Sequence, residues 1–153
     1  MNQYTEILYY LKSLGESDPF INTVTKGSPD KLDLETSNIY PLFHIDVSSA
    51  SFTNTKTITF NVSLACLDQR DINPEVNADK FWSNDNEVDN HNETLASLNR
   101  IWSKLYLDVS EKDMTASENP PLDKVDYSGS NILDGWQMTF ELEVPNTTIN
   151  LCT

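Results

Sequence analysis

Two stretches of the chain alternate apolar and polar side chains with a period of two. One runs Ile58, Phe60, Val62, Leu64, Cys66, and the other Trp136, Met138, Phe140, Leu142, Val144. Successive side chains of a strand point to opposite faces, so each stretch is a strand with one apolar and one polar face. Such a pair commits the chain to a sheet that is packed on one side. The polar faces carry Thr57, Thr59, Asn61 and Ser63 on one strand, and Gln137, Thr139, Glu141 and Glu143 on the other. They offer no nucleophile with its base and no metal cage, so these strands look built to hold shape.

The remaining elements follow from helical spacing and breaker residues. Residues 2–14 place Tyr4, Ile7, Leu8, Leu11 and Leu14 on one helical stripe, with Gly15 as its stop. Tyr9 and Tyr10 widen that stripe: either another part of the domain or a partner covers them, or they are core-helix tyrosines with hydrated hydroxyls. Residues 40–47 read as a strand with Phe43, Ile45 and Val47 inward. The polar link Ser48–Lys56 then returns the chain into the strand 57–69, giving a long antiparallel hairpin. A second helix spans 87–107 on the stripe Val88, His91, Leu95, Leu98, Trp102, Leu105 and Val109. Its acidic start, and Arg100 and Lys104 towards the other end, suit the helix dipole.

Long polar passages at 16–39, 70–86 and 108–133 join these pieces, with a short strand expected near Leu122–Tyr127. Phe81 and Trp82 anchor the second passage or meet another subunit. Pro145 ends the last strand, and Ile149 and Leu151 in the tail could add a strand or an arm. The expected fold is one α+β domain over 1–153. A mainly antiparallel sheet of about four strands would be covered on its apolar face by two helices.

The charge is −14, from 24 acids and 10 bases. A domain of that sign repels free nucleic acid, which disfavours a sequence-reading DNA-binding role. Two cysteines imply no disulfide framework and fit a reducing compartment. No basic run followed by an apolar stretch marks a signal peptide, and no apolar run is long enough to span a membrane. The three glycosylation-type triplets, such as Asn92-Glu93-Thr94, therefore read as chance.

The search for chemistry returns little. His44 and His91 are the two histidines, and no cysteine or second histidine lies at ligand spacing from either, so both read as structural. Asp85, Glu87 and Asp89 resemble the start of a calcium loop. Asn90 and Ala96 stand where its glycine and closing glutamate belong, so the run reads as the opening of a helix. Asp68, Arg70 and Asp71 crowd a strand end and could form an ion pair or hold a hard cation. No phosphate loop, dinucleotide fingerprint or nucleophile elbow is present. The expectation is no catalytic residue, no metal and no cofactor.

Four segments carry a family resemblance: Asn22-Thr23-Val24-Thr25-Lys26-Gly27, Ile39-Tyr40-Pro41-Leu42-Phe43-His44-Ile45, the run from Asp85 to Leu95, and Asn131-Ile132-Leu133-Asp134-Gly135-Trp136. These resemble small virion proteins of crAss-like and related tailed bacteriophages. The order helix, hairpin, helix, closing strand looks like their head–tail connector proteins, of the neck or tail-terminator type. The resemblance implies a structural ring of six or twelve copies, neighbouring portal, neck or tail proteins, and DNA passing through without sequence-specific binding. Assembly would take place in the host cytoplasm, ending in the virion. A ring needs different surfaces of one protomer to meet. The three polar passages are candidates for those surfaces, as are Tyr9, Tyr10, Phe81, Trp82, Ile149 and Leu151. Thr57, Thr59, Thr139, Glu141 and Glu143 form a candidate channel or packing face. The rival expectations are an assembly chaperone or adaptor that binds a partner strand at a sheet edge, and a metal-dependent hydrolase using Asp68 and Asp71.

Overall fold

Residues 3–28, 39–71, 81–82, 86–128 and 132–146 are described by the computed structural model, and they form one α+β domain. In chain order the elements are α1 (Gln3–Glu16), β1 (Thr23–Lys26), β2 (Leu42–Phe52), β3 (Thr57–Gln69), α2 (Glu87–Glu111), β4 (Thr115–Ala116), β5 (Leu122–Ser128) and β6 (Ile132–Pro145). They build a six-stranded mixed sheet in the order β1-β2-β3-β6-β4, with β5 also paired to β6. The expected count of about four strands rises to six, while the sheet is mainly antiparallel as expected, with β1–β2 the one parallel pairing among the described residues. The passage 16–39 contributes β1, which runs parallel to β2, and 108–133 contributes β4 and β5 against the outer edge of β6.

The centre of the sheet is the two alternating segments. β3 and β6 pair antiparallel in unbroken register from Thr57 opposite Pro145 to Gln69 opposite Leu133. β2 and β3 form the anticipated hairpin, but β2 continues to Phe52. Its pairing slips between Val47 and Ser49, so one extra residue is accommodated as a bulge. The turn is only Thr53–Lys56, where the Asn54 side chain accepts hydrogen bonds from the Lys56 and Thr57 amides at 2.7 and 3.0 Å.

Both helices lie on the same face of the sheet. Ile7, Leu11 and Leu14 of α1 and Leu98, Ile101 and Leu105 of α2 join Phe43, Ile45, Phe60, Val62, Leu64, Cys66, Met138, Phe140, Leu142 and Val144 in one core. Each fully buried aliphatic or aromatic side chain there contributes about 1.5–3 kcal/mol. Gly15 lies inside α1 and is not its stop. A Cβ at that position would sit 2.4 Å from Cδ1 of Phe43 and 3.0 Å from Cγ2 of Val24, so the glycine allows α1 to approach the sheet. Gly135 has the same role between strands, where an added Cβ would lie 1.9 Å from the Cys66 carbonyl oxygen.

α2 runs four residues further than its apolar stripe suggests and is rotated relative to it. Val88 is exposed, and the buried ridge starts with Asn90, His91, Thr94 and Ser97 before it becomes apolar. Arg100 and Lys104 therefore stand mid-helix and do not cap its dipole. They hold the end of α1. Arg100 grips Asp18 with Nε–H and Nη2–H bonds of 2.9 and 3.0 Å, and Lys104 reaches Ser17 Oγ at 3.2 Å.

Candidate functional site

The face of the sheet turned away from the helices divides into two regions. At one end Leu42, Ala65, Leu67 and Leu133 form a small second cluster with Tyr40 and Val125. There β3 changes from alternation to Ala65-Cys66-Leu67 and is buried on both sides. Towards the hairpin, neither helix covers this face and the surface is polar. Register places Ser51, Thr59 and Glu143 in one row across β2, β3 and β6. Ser49, Asn61 and Glu141 form the next row, followed by Asp46, Ser63 and Thr139.

This wall is laced by its own side chains. Asn61 Nδ2 donates to Ser49 Oγ at 2.6 Å, Ser63 and Thr139 share a hydrogen bond of 3.3 Å, and Thr53 bonds Thr59. On the β4 side, Ser117 Oγ accepts from the Glu141 amide at 2.9 Å. Ser51, Thr53, Thr59, Thr115, Ser117, Glu141 and Glu143 enclose a shallow depression of about 420 Å³. Thr139 and Glu141 are exposed, and Thr57, Thr59 and Glu143 are half-buried. The strands β2, β3 and β6 contain no lysine or arginine, so the fixed charges in the three rows, from Asp46, Glu141 and Glu143, are all negative.

The interface candidates part company. Tyr9 is 61% exposed, beside a groove between α1 and β1. Tyr10 is held within the protomer: its hydroxyl donates to Asp108 at 2.8 Å and its ring lies under the Lys112 ammonium, 4.6 Å from the centroid. Burial, then the hydrogen bond to Asp108, pushes the Tyr10 phenol well above its ordinary range. Phe81 and Trp82 are exposed and pack edge to face at 5.0 Å. Ile149 and Leu151 lie outside the described residues. Sequence reasoning passed over Phe52 at the hairpin tip and Tyr106 and Leu107 on α2, all more than half exposed. Phe52 was hidden in a link read as polar, and the other two in an apolar helical run.

The densest group of charges sits at the opposite end of the helix-side face, and Asp134 is its centre. Asp134 is fully buried and takes hydrogen bonds from Arg70 Nε and Nη2 at 3.0 and 2.5 Å. Arg70 also donates to Asp126 at 3.0 Å and faces Glu87 at 3.4 Å. Asn90 Nδ2 spans the Gln69 carbonyl at 3.1 Å and Asp134 at 3.4 Å. Ligand atoms of Glu87, His91 and Asp134 fall within 4.8 Å of one another, which is metal-like spacing. Each of the three already has protein partners, however. Asp134 is taken by Arg70, Glu87 by Arg70 and Lys124, and the His91 nitrogens face the Glu87 and Val125 carbonyls at 2.8 and 3.3 Å. A guanidinium in the centre also repels a cation. The arrangement clamps the ends of β3 and β5 and the start of β6 to the first turn of α2.

Asp68 and Asp71, the pair considered for hydrolysis, lie near enough for their charges to repel. Burial pushes the Asp68 carboxyl up, and Glu93, Asp71 and Asp134 add to it against a hydrogen bond from the Gln69 amide. The Asp71 amide donates to Asn86 Oδ1 at 2.7 Å, so this residue serves to start α2. His44 ties β1 to β2, as a structural histidine should: Nε2 faces the Gly27 carbonyl and Nδ1 the Thr25 hydroxyl, both at 2.8 Å. A carbonyl only accepts, so Nε2 carries the proton and Nδ1 accepts from Thr25. Burial holds this imidazole below its usual pKa, against the opposing effects of Gly27 and Asp46. Among the described residues no helix is long and apolar enough to cross a membrane. No protein-family model matches the chain, and no curated protein matches it either.

Proposed function

We propose that this protein is a non-catalytic structural subunit that assembles with copies of itself into a closed ring at the head–tail junction of a tailed phage. The observation that carries the reading is the uncovered polar wall of β2, β3 and β6. Two helices and a full core occupy one side of the sheet, while on the other the strands β2, β3 and β6 carry no lysine or arginine and are braced by their own hydroxyls and amides. In a ring such a surface is either the wall of a channel or the packing face between protomers. As a channel wall it suits DNA in transit, because a surface with Asp46, Glu141 and Glu143 and no lysine or arginine does not retain phosphates. The Arg70 guanidinium that occupies Asp134 and faces Glu87 supports a role without catalysis. Electron microscopy of the assembled particle tests the proposal. Density for this chain in a cyclic ring between portal and tail is the expected result. Its absence from purified virions would end the assignment.

A further inference from the structure

The edge of the sheet at β1 has a character opposite to that of the wall. Among the described residues β1 pairs only with β2. The Thr23 and Gly27 amides donate to the Pro41 and Ile45 carbonyls at 3.4 and 2.9 Å. Peptide groups alternate in direction along a strand, so those of Val24 and Lys26 point to the open side. Among the described residues nothing bonds them. The strand is nevertheless fixed, because the buried His44 holds Thr25 and Gly27 from below.

Beside this open ladder, α1 and β1 enclose a groove of about 370 Å³. Leu8, Val24 and Ile45 line it, Tyr9 overhangs it, and Lys12 and Lys26 complete its lining. Lys12 touches Glu16 at 3.4 Å, but both side chains are more than half exposed, so water screens that pair and the ammonium is held weakly. Lys26 meets no carboxylate among the described residues. Two cations on one apolar groove stand out in a chain with 10 bases and 24 acids.

We propose that the β1 edge and this groove receive an extended acidic segment of a partner protein by strand addition. The partner's backbone would complete the ladder at Val24 and Lys26, alternate apolar side chains would enter the groove against Leu8 and Tyr9, and carboxylates would meet Lys12 and Lys26. Like charges would repel a basic segment, so Lys12 on α1 and Lys26 on β1 also select the partner. The inference does not depend on the ring.

The probe is a blocked peptide of alternating leucine and glutamate, titrated into the full chain and followed by amide NMR. Shifts are expected at Leu8, Tyr9, Val24 and Lys26, with the Val24 and Lys26 amides exchanging about ten-fold more slowly at saturation. The double variant Lys12→Glu/Lys26→Glu, altered only at exposed positions, should bind about ten-fold more weakly. A backbone N-methylated peptide should not bind. Three results overturn the proposal: no shift at β1 with millimolar peptide, equal binding of a leucine–lysine peptide, or protection of the same amides by raised protein concentration alone. The last would make a second copy the occupant.

Discussion

Arg70, at the end of β3, holds the fully buried carboxylate of Asp134, at the start of β6, by two hydrogen bonds 64 residues apart in sequence. Breaking a buried pair by removing one member leaves an uncompensated charge, at a cost of about 3–5 kcal/mol. Arg70→Met, which strands the Asp134 carboxylate, is expected to lose that much in urea denaturation, and Asp134→Ala, which leaves Arg70 beside Asp126 and Glu87, should lose less. The double variant Arg70→Met/Asp134→Leu should recover most of it, because neither charge is then stranded. A double variant as unstable as the sum of the singles would show that the two residues act independently.

Asp18 and Arg100 give a pH dependence of defined sign. Burial pushes the Asp18 carboxyl up, but hydrogen bonds from Arg100 and the Phe20 amide outweigh it and the net direction is down. The unfolded chain therefore takes up this proton at higher pH than the folded one. The stabilisation is fully present above the ordinary carboxylate pKa of about 4 and disappears as pH falls through the lower folded value. Asp18→Asn should cost about 1–3 kcal/mol at neutral pH. The gap to wild type in urea midpoint should close in strong acid.

Asp68 works in the opposite direction. Its carboxyl is raised, so its charge opposes folding at neutral pH. Asp68→Asn keeps an acceptor for the Gln69 amide and should raise the thermal midpoint slightly. Magnesium, manganese and calcium should leave that midpoint unchanged. A metal-dependent rise that vanishes in Asp68→Asn/Asp71→Asn would instead support a divalent-ion hydrolase.

Gly135→Ala should be the most damaging single-methyl change in the sheet. Its new Cβ would fall on a backbone carbonyl in the β3–β6 ladder, which has no room to move. A loss of about 3 kcal/mol is expected in urea titration. Gly15→Ala meets the Phe43 ring, a side chain that can shift, and should cost less.

The alternating segments announced β3 and β6 because each keeps one face in the core along most of its length. β2 was legible to Val47. The bulge at Ser48 reverses the phase of the pattern, so Ser49, Ala50, Ser51 and Phe52 read as a link although they continue the ladder. β1 and β4 are too short to show a period, and the pairing of β1 with β2 is set by chain returning from a distance. The rotation of α2 escaped notice because its first two turns bury polar groups. Thr94 bonds back to the Asn90 carbonyl at 2.6 Å and Asn90 reaches Gln69, so these positions are satisfied without being apolar. The polar wall was named residue by residue from the alternation. The Asp134 clamp was not, since it joins groups that only the fold brings together.

The central claim is that the uncovered wall belongs to a ring. Mass photometry of the purified protein, alone and mixed with its portal partner, tests it most directly. A discrete species of six or twelve copies is expected, weakened by Thr139→Arg/Glu141→Arg if the wall is the packing face and retained if it lines the channel. A strictly monomeric mass at high concentration, unchanged with virion partners present, would contradict it.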